Sequence, residues 1–145
     1  MVDVSDEKIT EAYQDVQKSP DTNWLLVDYE NDRSDKLVLT KTGAGGLSEL
    51  AEALDDSKAS YAYVRVTFAK DKESKRERFV FVKWIGKGCK IMRKAKVSVQ
   101  AGEVKRVLHN FSIEVDASDK ADLDEEKVVT RLRAVGGASY DGAAA

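Results

Sequence analysis

The sequence predicts an α+β domain: a central mixed sheet of about five to six strands with helices on both faces. Two observations carry this. Helix-period and strand-period segments follow one another along the chain in the order α-β-β-α-β-β-α-β-α. The runs Tyr61 to Phe68 and Phe79 to Ile85 also read as a long central hairpin, within a mixed sheet that helices must cover on both sides. At 145 residues the chain has the length of one domain.

Ser5 reads as an N-cap, with Asp6 and Glu7 suited to a first helical turn. Ile9, Ala12, Tyr13 and Val16 then fall on one helical face, and Pro20-Asp21 ends that element. The apolar runs Trp24 to Tyr29 and Lys36 to Thr40 flank the polar turn of residues 30–35, a hairpin. Gly43-Ala44-Gly45-Gly46 reads as a flexible loop, and Leu47, Leu50, Ala51 and Leu54 as a short second helix.

From Tyr61 to Phe68 the chain alternates. Ala62, Val64, Val66 and Phe68 share one face, and Tyr61, Tyr63, Arg65 and Thr67 the other. Phe79 to Ile85 is the next strand, joined to it by the charged turn of residues 70–78. A third helix is expected over Ala95 to Leu108, with Val97, Ala101, Val104 and Leu108 as its core stripe and Gly102 on its outer side. Phe111, Ile113 and Val115 alternate as a strand. Asp122 and Glu125 have capping-box spacing for a last helix that buries Val128, Leu132 and Val135 and ends at Gly136-Gly137. The domain is therefore expected over residues 1–135, with 136–145 as a flexible tail.

Net charge is −2, but the middle of the chain differs from its ends. Residues 60–110 carry fourteen Lys and Arg against four acids, and the remainder carries ten against twenty-two. A middle of +10 between flanks totalling −12 predicts a directional face for an acidic macromolecular partner: an acidic protein, a nucleic acid or an anionic membrane. Lys75, Arg76 and Arg78 crowd the hairpin, while Arg93, Lys94 and Lys96 crowd a helix entrance beside the apolar Ile91 and Met92. The two clusters flank one strand, so a shared surface is expected. Cations at a helix N-terminus each cost roughly 0.3–1 kcal/mol, which a partner surface would offset.

Catalytic chemistry has little to work with. One cysteine, Cys89, and one histidine, His109, exclude an internal disulfide and two-histidine metal motifs. Cys89 lies among cations that would lower its pKa, but an incidental thiol is the simpler reading. There is no phosphate-binding glycine signature, and the acids from Asp122 to Glu126 lack EF-hand spacing. No catalytic residue, metal or cofactor is expected. The acidic N-terminus lacks signal-peptide character, and no run reaches the roughly 18 apolar residues of a membrane span. A cytoplasmic protein follows. No aromatic stacking platform accompanies the basic residues, which argues against nucleic acid.

The segment Ser74-Lys75-Arg76-Glu77-Arg78-Phe79-Val80-Phe81-Val82-Lys83-Trp84-Ile85-Gly86 resembles the signature strand of the coactosins, a branch of the actin-depolymerising-factor homology (ADF/cofilin) family. Ala12-Tyr13, Phe68, Val104 to Phe111, and the Gly-Gly-Ala-x-Tyr-Asp ending at residues 136–141 fit the same pattern, so the resemblance covers essentially the whole chain. It implies a single ADF-homology domain and a non-enzymatic protein of the actin cytoskeleton. Such a protein binds filamentous actin, binds monomeric actin weakly or not at all, acts as a monomer and opposes barbed-end capping. Its implied filament contacts are Lys75, Arg76 and Arg78, the last an arginine where lysine is common. At the entrance of the long helix they are Met92, Lys94 and Lys96. Residues 97–102 depart from the polar stretch the family pattern calls for. The alternative is a cofilin-like monomer-binding and severing module, which a continuous, strongly basic long helix would favour.

Overall fold

The computed structural model describes residues 2–69 and 74–143, with side chains as far as Val135. Its elements are α1 (Glu7–Lys18), β1 (Trp24–Tyr29), β2 (Leu37–Gly43), α2 (Gly46–Ala53), β3 (Ala59–Ala69), β4 (Lys75–Ile85), α3 (Ile91–Val107), β5 (Ile113–Ala117), a 3-10 turn (Lys120–Leu123) and α4 (Glu125–Ala143). This is the expected order. The strands form one sheet, β2-β1-β3-β4-β5. Its first four members are antiparallel neighbours, and β5 joins β4 in parallel. A parallel pair needs a crossover, and α3 supplies it.

The alternation in β3 sorts the core into two halves. Ala62, Val64 and Val66 pack with Trp24, Val82 and Trp84 beneath α2 and α4. Tyr61 and Tyr63 pack with Leu25, Val27 and Phe81 beneath α1 and α3. The faces predicted for Ile9, Ala12, Tyr13 and Val16 in α1, and for Val97, Ala101 and Val104 in α3, are buried there.

Several boundaries differ from expectation. Asp6, not Ser5, caps α1: its carboxylate accepts from Lys8 N–H at 3.0 Å and from Leu39 N–H of β2 at 3.1 Å. Ser5 Oγ instead donates to Asp3 at 2.6 Å. β4 begins at Lys75, so residues 75–78 are strand paired with Val66 to Ala69 rather than turn. Residues 70–73 of the expected turn lie outside the described residues. α3 begins at Ile91, four residues before the expected start, so its cations lie inside the helix. The capping box belongs to Asp119 and Asp122 and frames the 3-10 turn, not α4.

Val135 is 40% exposed, and the cluster under α4 ends at Leu132, with Val129 as the further buried residue. α4 continues through Gly136-Gly137 to Ala143. Glycines in a helix cost about 1 kcal/mol each relative to alanine, but they end it only where one takes the left-handed conformation.

Candidate functional site

Strand pairing decides where the hairpin cations point. Arg76 lies opposite Phe68, and Arg78 opposite Val66, on the α4 side of the sheet. There Arg133 of α4 reaches over the Phe68 ring and donates to Ala69 O at 3.0 Å. Lys75 and Glu77 alternate to the other side, with Phe79 and Phe81. The three hairpin cations are thus split between two faces at one end of the sheet. Lys75 is exposed, and Arg76 and Arg78 are half-buried. The acid among them is taken up elsewhere. Arg65 stands 3.7 Å from Glu77, and its Nη1 caps the end of α1 by donating to Val16 O at 2.9 Å and Ser19 O at 3.0 Å.

The entrance of α3 is held by the β1–β2 loop. Lys90 pairs with Asp32 at 3.0 Å, Lys96 with Asp35 at 3.4 Å, and Arg93 lies 3.8 Å from Asp35. These contacts offset the cost of cations at a helix N-terminus internally, so that cost is no sign of a partner. The hydrogen bond from Lys90 holds the Asp32 carboxyl below its usual range, and one from Gln100 does the same for Asp35.

Arg93 is not part of the outer surface. Its guanidinium lies over the Tyr29 ring, 3.8 Å from the centroid, and its side chain is 12% exposed. The outer face carries Ile91, Met92 and Val99, which are 82%, 76% and 82% exposed. Ile91, Ala95 and Val99 are four apart, a single stripe, with Lys94 half-buried beside it. Val99 went unrecognised in the sequence, although a signal exists: two positions from the core residue Val97, it must point about 200° away on a 3.6-residue helix.

The two clusters do not form one patch. β4 separates them, and its seven residue steps from Arg78 to Ile85 measure about 23 Å at strand rise. Of the fourteen cations in the basic middle, eight pair with acids. These are Arg65, Lys83, Lys87, Lys90, Arg93, Lys96, Lys105 and Arg106. Lys70 and Lys72 lie outside the described residues. Lys75, Arg76, Arg78 and Lys94 have no acidic partner among the described residues.

Burial pushes the Cys89 thiol up, outweighing the nearby Lys94 and Arg93, in keeping with the reading of an incidental thiol. His109 packs against the Tyr13 ring with centroids 5.5 Å apart. Among the described residues, no group of three or more His, Cys, Asp or Glu is placed to hold a metal ion, and no helix is long and apolar enough to cross a membrane.

Residues 1–133 match the profile of the cofilin/tropomyosin-type actin-binding proteins. The chain is similar to coactosin of Dictyostelium discoideum, with 42% identity over 98% of this chain and 97% of that protein. Among solved structures it is similar to coactosin from Entamoeba histolytica, with a TM-score of 0.83 and 30% identity over 94% of this chain and 97% of that one. It is also similar to mouse coactosin, described as an actin filament binding protein, with a TM-score of 0.76 and 28% identity over 99% of both chains.

Proposed function

We propose that this chain, which belongs to the cofilin/tropomyosin-type actin-binding protein family of non-catalytic proteins and within it is similar to the coactosins, decorates actin filaments from the two ends of β4. One end supplies Lys75, Arg76 and Arg78. The other supplies Met92, Lys94 and Lys96, together with Ile91 and Val99. The observation that carries this reading is the separation of two cation-bearing clusters by about 23 Å of strand, from Arg78 to Ile85. Such a spacing suits a protein that touches neighbouring subunits of a polymer. Actin is acidic, and cations at the contact set orientation and on-rate more than affinity.

In this reading the protein acts in the cytoplasm, binds monomeric actin weakly, takes no cofactor and opposes barbed-end capping by occupying the filament. It works as a monomer. The outer edge of β2 is covered where Leu37 N–H donates to Asp3 O at 2.8 Å and Leu39 N–H to Asp6. At the other edge, Arg131 donates to Glu114 O of β5 at 3.0 Å. Covered edges resist strand-to-strand association.

Co-sedimentation with filamentous actin tests the proposal, beside a monomer-binding assay. The native chain should pellet, less so as salt rises. Arg76→Ala/Arg78→Ala should weaken pelleting by about fivefold or more, the range between rim and desolvated charges. A folded native chain that stays in the supernatant refutes the reading. Filament loss with tight monomer binding would move it to the cofilin-like alternative.

A further inference from the structure

We propose that Arg93 is a positioning residue: it holds the first two turns of α3, and with them Met92, Lys94 and Lys96, in the geometry of the filament contact. This rests on the reading of α3 as a contact element given above. Apart from the ion pairs of Lys90 and Lys96 with the β1–β2 loop, the start of α3 has little else to hold it. No side chain from Ile91 to Lys96 is fully buried, and the first core residue is Val97. Lys90 occupies the cap position without a capping hydrogen bond, and the first turn holds no acid. A helix end with neither cap nor apolar burial frays.

Arg93 supplies the missing hold. One face of its guanidinium lies on Tyr29 at 3.8 Å. Its Nη2 donates to three carbonyls of the β1–β2 loop, those of Asn31 at 3.1 Å, Asp32 at 2.9 Å and Ser34 at 3.0 Å. Tyr29 in turn donates to Gln100 Oε1 at 2.6 Å, inside the buried part of the same helix. Loop, ring and helix therefore close on one another through this side chain. The pairs Lys90–Asp32 and Lys96–Asp35 offset the cost of their own cations but, as exposed ion pairs, add too little beyond that to replace it. Lysine cannot replace it either: stacking by the face while donating from the edge needs the planar guanidinium fork.

The test compares native chain, Arg93→Ala, Arg93→Lys, Met92→Ala/Lys94→Ala and the triple variant. The readouts are filament co-sedimentation and amide hydrogen exchange. Arg93→Ala should raise the filament Kd by about tenfold. It should also speed exchange at residues 92–96 while residues 104–107 stay protected. Arg93→Lys should fail to restore binding. In the Met92→Ala/Lys94→Ala background, Arg93→Ala should cost little more. Full binding by Arg93→Lys would reduce the role to charge and overturn the proposal. So would a fully additive loss, which marks an independent contact, or unchanged exchange at 92–96. If Arg93→Ala unfolds, Arg93→Lys carries the test, since it keeps the aliphatic stem and the charge. Failure of the native chain to pellet removes the underlying reading and the proposal with it, and is visible before any variant is made.

Discussion

Val99→Asp separates the binding role of α3 from its role in the fold. Val99 is 82% exposed, and valine and aspartate have similar helix propensities. The substitution should therefore change stability by no more than about 0.5 kcal/mol. Binding is another matter if the outer face of α3 meets actin. Covering most of a valine side chain contributes about 1–2.5 kcal/mol, scaled from the value for full burial. Placing a carboxylate there without a partner adds a further penalty of about 1–3 kcal/mol. Together these raise the filament Kd at least thirtyfold, at about 1.4 kcal/mol per factor of ten. Val99→Thr, isosteric but with one methyl replaced by hydroxyl, should cost only about fivefold. Co-sedimentation at low and physiological salt measures both, with thermal unfolding as the check on the fold. A Val99→Asp chain that melts like the native one and pellets within a factor of about two of it would remove α3 from the interface and leave the hairpin alone.

Two further outcomes test the architecture around these surfaces. Arg65→Met removes two charge-assisted hydrogen bonds to the end of α1 and the Glu77 pair. It should cost about 3 kcal/mol and lower the thermal midpoint by about 6–10 °C; a shift under about 2 °C would mean that α1 does not depend on this cap. Asp6, whose carboxyl is held below its usual 3.8 by the Lys8 and Leu39 amides, stabilises the fold above its unfolded pKa. That stabilisation is lost as pH falls through the depressed folded value. The Leu39 amide should accordingly stay protected from exchange until pH is below 3.8 in the native chain, and lose protection at all pH values in Asp6→Asn.

What the sequence made legible is what local pattern encodes. The alternation of β3 and the four- and three-residue spacing of α1 and α3 are imposed by contacts with a covering layer, so they survive as periodicity. The rest was decided across the chain. Ser5 and Asp6 are both good caps, and the choice falls to Asp6 because β2 places the Leu39 amide within its reach. The glycine-rich stretch was expected to be loose. Yet a Cβ on Gly43 would stand 2.1 Å from Glu49 and 2.6 Å from the Trp24 ring, and Gly46 has φ +70°. Those glycines are there for close approach and for a left-handed turn. Arg93 and Lys96 had the right residue types for a binding surface, but nothing local reveals that residues 31–35 fold back against them. A cation's partner lies sixty residues away, and composition carries no trace of it.

That folding back explains how a chain of net charge −2 can present a basic contact at all. The acidic flanks do not simply dilute the basic middle. They neutralise particular members of it: Asp32 and Asp35 at α3, Asp116 and Asp119 near β5, and Glu114 with Lys105. The paired cations become ties between elements, and the cations without acidic partners among the described residues fall at the hairpin end and at Lys94. Ionic screening acts over about 8 Å at physiological salt, so two clusters about 23 Å apart along β4 do not feel each other's field. Each end must then contribute to the proposed contact on its own, and losses at the two ends should add. Within the α3 end the opposite holds, because Met92, Lys94 and Lys96 sit on one helical segment fastened by one largely covered arginine. Coupling inside an end and independence between ends follow from the same sorting of charges.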